Sequence, residues 1–217
     1  MDKREIENLS KMIAQSENEI RKKLTNNEAH IIECNNVVIL LGNTGAGKTT
    51  FSCIMSGKDV LVKPRGKKDA KLEFSGIQSG GKSITKVPNI MIDTENDIIY
   101  CDCPGFLDTD GPIQEIINSF VIDYLLTLIS TNDCKVKIML VIGANETDAV
   151  RSTMVSEVFK RMEHMFSNKK QLQQGVGIVF TKSDAKKDGS DYIDDLYDNA
   201  ESPVDKWCEF FKDNEDK

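Results

Sequence analysis

The residues best equipped for chemistry lie in one octet, Gly42-Asn43-Thr44-Gly45-Ala46-Gly47-Lys48-Thr49, which has the pattern G-x-x-x-x-G-K-[ST]. Glycines at 42, 45 and 47 permit backbone angles and close approaches that a Cβ would block. The successive amide N–H groups can then form an anion-binding nest at the start of a helix. Lys48 is the candidate to reach the β- and γ-phosphates of a nucleotide, and the Thr49 hydroxyl is the candidate ligand for Mg²⁺. Such an octet means something only between a strand and a helix. The apolar run Val37-Val38-Ile39-Leu40-Leu41 precedes it, and Thr50-Phe51-Ser52-Cys53-Ile54-Met55 can begin a helix. The eight residues, with Thr50 beside them, are therefore read as a nucleotide-phosphate site.

Two shorter strings gain weight from their order behind that loop. Asp102-Cys103-Pro104-Gly105 follows the strand-like Ile98-Ile99-Tyr100. An aspartate at that strand end can hold Mg²⁺ through water, while the Gly105 amide can contact a γ-phosphate. Thr181-Lys182-Ser183-Asp184 follows the apolar 177–180. The Asp184 carboxylate can accept two parallel hydrogen bonds from N1–H and the 2-amino group of guanine, a donor pair that adenine lacks. The Lys182 stem can lie across the base. Alone, each string is common in turns and polar loops. These two and the octet in one order, each after a strand, are not.

The elements that must position these residues can be read from periodicity. Residues 2–30 are highly charged, with Ile6, Leu9, Ile13, Ile20 and Leu24 near one face, which predicts an amphipathic helix. A helix docked on the domain is favoured over an intermolecular coiled coil, which needs more heptads. The division is thus 1–33 for the helix and 34–217 for the domain. A strand over 36–41 and a helix over 48–56, stopped at Gly57, bracket the octet. Residues 58–71 are rich in lysine and, with Gly76, Gly80 and Gly81 following, read as a long basic loop. Such a loop could meet acidic lipid, but nothing else in the sequence speaks for a membrane. Strands are expected at 90–92, 97–100, 136–142 and 177–180, and helices at 112–130 and 147–166. Val150, Met154, Val158, Met162 and Met165 are expected to fill the core from the second of these helices. Around Ile193, Leu196 and Tyr197 a further helix is expected. Beyond Pro203, Trp207, Phe210 and Phe211 offer a short apolar face. Strands alternating with helices predict an α/β domain, a three-layer doubly wound and mostly parallel sheet with its ligand at the carboxyl ends of the strands.

Composition removes several alternatives. A net charge of −7 over 217 residues argues against nucleic-acid binding by the surface as a whole. The six cysteines, at 34, 53, 101, 103, 134 and 208, are scattered, so reduced thiols in a cytoplasmic protein are expected. Cys101-x-Cys103 is too close for a zinc pair and reads as strand packing. His30 and His164 are too isolated for a metal cluster. The start of the sequence does not read as a signal peptide, and no apolar run approaches the ~20 residues of a membrane span.

Taken together, the chain resembles the guanine-nucleotide-binding (G) domains of the translation-factor-related class of P-loop GTPases over about 35–200. Gly42–Thr49 matches the first motif of that class, Asp102–Gly105 the third and Thr181–Asp184 the fourth. Gly-Asn-Thr-Gly-Ala-Gly-Lys-Thr-Thr and Cys-Asp-Cys-Pro-Gly-Phe-Leu-Asp-Thr look most like the septin-like branch, which includes the immunity-associated (AIG1-type) GTPases. The resemblance implies GTP or GDP as ligand, Mg²⁺ as cofactor and a slow GTPase activity. It implies catalytic roles for Lys48 and for a switch I threonine, for which Thr85 in Ser83-Ile84-Thr85-Lys86 is the candidate and Ser83 the runner-up. Thr49, Thr85 and Asp102 would organise the metal. Switch I is expected at 76–88 and switch II at 105–112. Two departures stand out. Phe106 occupies the position where small GTPases carry a water-orienting glutamine, so weak turnover alone is expected, with strong catalysis needing a residue from a nucleotide-dependent homodimer or another partner protein. No fifth, base-binding motif is found after Asp184. A non-catalytic GTP-binding assembly scaffold remains the alternative, and Thr181–Asp184 argues against an ATPase.

Overall fold

The computed structural model describes residues 3–25, 36–58, 60–65, 69–74, 88–106, 112–130, 135–147, 152–165, 175–184, 186–199 and 204–212. In chain order the elements are α1 (Lys3–Thr25), β1 (Asn36–Leu41), α2 (Lys48–Met55), β2 (Val60–Arg65), β3 (Asp69–Phe74), β4 (Asn89–Asp93), β5 (Ile98–Asp102) and α3 (Pro112–Ser130). They continue with β6 (Lys135–Gly143), a 3₁₀ turn (Ala144–Glu146), α4 (Ser152–Met165), β7 (Val176–Thr181), α5 (Gly189–Asn199) and α6 (Val204–Lys212).

β1 is apolar from Val37 onward because both of its faces are covered, as strands of a buried parallel sheet require. Val37, Ile39 and Leu41 belong to the main core cluster, whereas Leu40 and the half-buried Val38 pack into separate clusters. α3, α4 and α6 supply Ile122, Leu125, Val158, Phe159 and Trp207 to the first set, and Cys53 and Phe51 of α2 join the second. The strand order is β4-β5-β1-β6-β7. β1 pairs in parallel with β5 and β6, β6 pairs in parallel with β7, and β4 runs antiparallel to β5 at one edge. The result is a mixed, mostly parallel five-stranded sheet in an α/β fold, and every strand expected in it is present.

Local chemistry explains the boundaries. α2 ends where Gly57 takes a φ of 68°, with the Gly57 amide donating to the Ile54 carbonyl and the Lys58 amide to the Cys53 carbonyl. That is a Schellman ending, and it needs a residue that tolerates left-handed backbone. Pro112 opens α3 as expected, where its missing N–H costs no helical bond. At the other end of the chain Trp207 is buried against Phe159, with ring centroids 5.5 Å apart, and its Nε1 donates to Glu163 Oε1 at 3.2 Å. α1 is docked, as expected: Leu9 and Ile13 pack against Ile117, Val121 and Tyr124 of α3. Ile6, however, is 51% exposed, so the seven-residue stripe is only partly used.

Three expectations are corrected. Residues 58–71, read as a loop, carry most of a two-stranded antiparallel ribbon formed by β2 and β3. Its register sets Val60 opposite Phe74, Val62 opposite Leu72 and Pro64 opposite Ala70. Apart from Leu61, apolar residues therefore alternate with charged ones at strand period, a signal that the density of positive charge obscures. Thr147, expected to begin a helix over 147–166, is not helical; the helix is described over Ser152–Met165. The Thr147 amide and hydroxyl both donate to the Ala144 carbonyl, closing a separate one-turn helix first. Met154, expected in the core, is 39% exposed; the buried stripe of α4 is Val155, Val158, Phe159 and Met162, at the i, i+3, i+4, i+7 spacing. Of the other positions in that stripe, Val150 and the Met165 side chain lie outside the described residues.

The β4–β5 turn yields a prediction. The Asp93 carboxylate accepts the Asn96 side-chain amide at 2.7 Å and the backbone amides of Asn96 and Glu95 at 3.1 and 3.0 Å. Chiefly through the Asn96 side chain, these bonds hold its carboxyl below the ordinary value. A depressed native pKa stabilises the fold above the unfolded value of about 3.9, and that contribution is lost as pH falls through the lower native value. Asp93→Ala is therefore expected to lower the melting temperature at pH 7, with the gap to the parent protein narrowing steadily below pH 4. A gap that stays constant in acid would contradict this.

Candidate functional site

β1, β5, β6 and β7 run in parallel, so their carboxyl ends emerge on one side of the sheet, and the three sequence motifs meet there. β1 passes into the octet at Gly42, whose φ is 147°. A Cβ on Gly42 would collide with the Val141 carbonyl of β6, so the residue must be glycine for the loop to lie this close to the sheet. The loop is then clipped to the third motif by backbone alone. The Phe106 amide donates to the Gly42 carbonyl at 3.1 Å, and the Thr44 amide donates to the Phe106 carbonyl at 3.1 Å. Gly105 lies so near that an added Cβ would be 2.6 Å from the Thr44 amide nitrogen. The amides of Lys48, Thr49 and Thr50 begin α2, where no intrahelical acceptor exists for them and the helix dipole favours negative charge.

Lys48 is only 6% exposed, and its Nζ donates to the carbonyls of Gly42 at 3.0 Å and Asn43 at 2.9 Å. The ammonium is thus held inside the curve of the loop, and with the helix amides it gathers positive potential at one point. Beside it the Thr49 hydroxyl donates to Asp102 Oδ2 at 2.7 Å, and Asn89 Nδ2 approaches the same oxygen at 3.5 Å. Asp102 is fully buried at the end of β5. Cys101 and Cys103 on either side are core residues, as expected. Burial pushes the Cys103 thiol well above its ordinary value, with Cys101 and Asp102 adding to the shift and Lys48 opposing it. A thiol so held is packing rather than a nucleophile.

The fourth motif is braced against the first. The Thr181 hydroxyl donates to the Ala46 carbonyl, and Lys182, with a φ of 55°, donates from Nζ to the Gly45 carbonyl at 2.7 Å. Lys182 is thus engaged with the glycine-rich loop. Asp184 is exposed; its amide donates to the Tyr192 hydroxyl at 2.7 Å, and its Oδ1 accepts the Lys186 amide at 3.0 Å. Tyr192 is itself buried against Phe180, with centroids 5.2 Å apart. Thr85, Ser83 and 107–111 of the expected switch II fall outside the described residues.

The structure also brings in residues that sequence reasoning missed. Glu146, in the 3₁₀ turn after β6, accepts the Asn43 side-chain amide at 3.0 Å. Asn118 of α3 donates to the Gly105 carbonyl at 3.2 Å and accepts Gln114 Nε2 at 2.8 Å. Glu146 had one available signal: it is an acid just past the end of a buried parallel strand, where ligands of such sheets lie. Asn118 had none, since an asparagine within an apolar helix carries no motif. The Phe106 side chain is 2% exposed and belongs to the main core cluster. Its backbone, not its ring, serves the loop. Among the described residues no group of three or more His, Cys, Asp and Glu side chains could hold a metal ion by itself, and no helix is long and apolar enough to cross a membrane.

No protein-family model matches the chain, and no curated protein matches it. Among solved structures the chain is similar to a crystal structure of an SsGBP mutation variant, at 15% identity and a TM-score of 0.40. The likeness covers 90% of this chain and 54% of that one, so the chain spans about half the length of that protein.

The tight approach at Gly105 can be tested by unfolding in urea. Gly105→Ala is expected to cost about 1–3 kcal/mol, because the methyl meets not only the Thr44 hydroxyl but also the Thr44 backbone, which cannot swing away. Gly189, around which nothing lies within 4 Å of an added Cβ, serves as control. Gly189→Ala is expected to stay within about 0.5 kcal/mol of the parent. Equal stabilities for all three proteins would contradict the packing described.

Proposed function

We propose that this chain is a guanine-nucleotide-binding switch protein that binds GTP or GDP with Mg²⁺, hydrolyses GTP slowly and acts in the cytoplasm. In this reading the mixed sheet is the three-layer doubly wound G domain of a P-loop GTPase, most like the septin-like, AIG1-type branch. The observation that carries it is the convergence at Lys48: a buried ammonium inside a loop of helix-terminal amides, next to a hydroxyl–carboxylate pair 2.7 Å apart. An electropositive nest suits phosphate. A threonine hydroxyl and a carboxylate are hard oxygen donors of the kind Mg²⁺ takes one or two at a time, leaving its other positions to water and phosphate. Thr49 and Asp102, with Thr85, would hold the ion, which when bound neutralises charge on the β- and γ-phosphate oxygens.

The protein's own groups then divide the work. Lys48 and the amides of the loop stabilise the phosphate oxygens, and Gly105 offers its amide toward the γ-phosphate. In hydrolysis a water oxygen bonds to the γ-phosphorus and the bond to the bridging oxygen of GDP breaks, giving GDP and inorganic phosphate. The buried Phe106 ring cannot orient that water, which supports slow turnover alone and acceleration by a second copy or another partner. Asp184, joined to the phosphate loop through Thr181 and Lys182, would read guanine through its carboxylate. The same burial of Phe106 favours the second reading, a non-catalytic GTP-binding scaffold. Single-turnover hydrolysis that stays slow at high protein concentration would select the scaffold; a rate that rises with concentration would select the enzyme.

Base recognition provides a sharper test. Asp184→Asn replaces one acceptor by a donor, so it no longer matches the two donors of guanine but matches xanthine, where a carbonyl stands in place of the amino group. The variant is expected to lose at least about tenfold in GTP affinity and to prefer XTP. Unchanged preference for GTP would remove Asp184 from the base site. Lys48→Ala is expected to weaken GTP and GDP binding together by more than about tenfold, and unchanged affinity would remove the phosphate site as drawn.

A further inference from the structure

Asn43 and Glu146 are 103 residues apart in sequence and share a hydrogen bond of 3.0 Å. Both are buried, at 2% and 9% exposure. A carboxylate set behind an anion-binding loop opposes the anion electrostatically, so its retention there calls for a compensating role. The Asn43 backbone supplies one. Its carbonyl accepts the Lys48 ammonium at 2.9 Å and the Ala46 amide at 3.1 Å. Rotation of the peptide that carries this carbonyl would break both bonds at once. That peptide turns about the bonds of Asn43 and Thr44, and at its Thr44 end the amide is already bonded to the Phe106 carbonyl. The side-chain bond to Glu146 resists the rotation from the Asn43 end.

Glu146 is itself well placed for this. The Thr147 amide and hydroxyl lock its turn onto the Ala144 carbonyl at 3.4 and 2.9 Å. Its Oε1 lies 3.2 Å from where a Cβ on Gly143 would stand, so the glycine leaves the space that the carboxylate occupies. We infer that Glu146 is a positioning residue of the phosphate loop: by holding the Asn43 side chain it fixes the Asn43 carbonyl that aims the Lys48 ammonium at phosphate. This rests on the nucleotide reading above.

The test is GTP binding by the full chain in Mg²⁺, measured for the parent, Glu146→Ala, Glu146→Gln, Asn43→Ala and the double alanine variant. Glu146→Ala is expected to weaken GTP binding about tenfold, and Glu146→Gln, which keeps an acceptor for Asn43, to recover to within about threefold of the parent. Asn43→Ala is expected to lose as much as Glu146→Ala, and the double variant no more than either, because both remove one interaction. Asn43→Ala also carries the test if Glu146→Ala does not fold: it must then lose affinity in the same measure. A strut that only stabilises the fold would lower melting temperatures without this pattern in GTP affinity. A parent that binds GTP while Glu146→Ala binds it equally, or losses that add in the double variant, would overturn the inference alone. A parent that binds no guanine nucleotide would overturn it together with the reading on which it rests.

Discussion

Two backbone hydrogen bonds between Phe106 and the glycine-rich loop 42–49 hold the carboxyl end of the sheet together. They continue, beyond the sheet, the parallel pairing of β1 with β5, in which Leu40 stands opposite Asp102. Because β1 is covered on both faces, a slip of one residue would exchange Val37, Ile39 and Leu41 of the main core with Val38 and Leu40 of the clusters on the other face, undoing the packing of both. The loop that leaves β1 and the segment that leaves β5 therefore travel side by side and bridge at Asn43 and Phe106. From this single constraint follow the need for glycine at 105, the approach of the Thr49 hydroxyl to Asp102, and the inward course of Lys48. The core and the site are one mechanical unit.

α3 shows how one helix can serve three surfaces. Ile122, Leu125 and Ile129 enter the main core, while Ile117 and Val121 form a small cluster with Leu9 and Ile13 of α1. Asn118, on its own buried side, fastens the Gly105 carbonyl and is in turn held by Gln114. Polar side chains inside a helix of this apolar character would each cost on the order of 1–3 kcal/mol if left unsatisfied. Here they are spent on the third motif. A neighbouring ion pair, Arg161 with Glu115 at 3.0 Å, ties α4 to α3, and the same guanidinium lies 6.0 Å from the centroid of the Phe106 ring. Partly exposed, it adds little to stability. Its geometry nonetheless keeps the third motif between two helices.

Much of this was legible in the residues, and the exceptions have physical causes. Continuous apolar runs such as 37–41 and 138–142 announce buried parallel strands without ambiguity, and glycine at 57 announces a helix end. The three motifs could be placed because each follows such a run. The ribbon of β2 and β3 was missed because six basic residues within 58–71 outweigh a period-two pattern of Val60, Val62, Leu72 and Phe74 in any reading based on polarity. Thr147 reads as helical in the sequence, but its side chain and amide close a shorter turn of their own. Contacts between distant residues were invisible in principle. Nothing local to Asn43 or Glu146 marks them as partners, and Phe106 acts through backbone groups that every residue possesses.

The most direct measurement is calorimetric titration of the unmodified chain with GTP analogue, GDP and ATP, with and without Mg²⁺. Guanine-nucleotide binding that Mg²⁺ strengthens, with ATP at least about a hundredfold weaker, is the expected result. Equal affinity for ATP would contradict the role given to Asp184, and failure to bind any of the three would contradict the assignment of the loop around Lys48 as a nucleotide site.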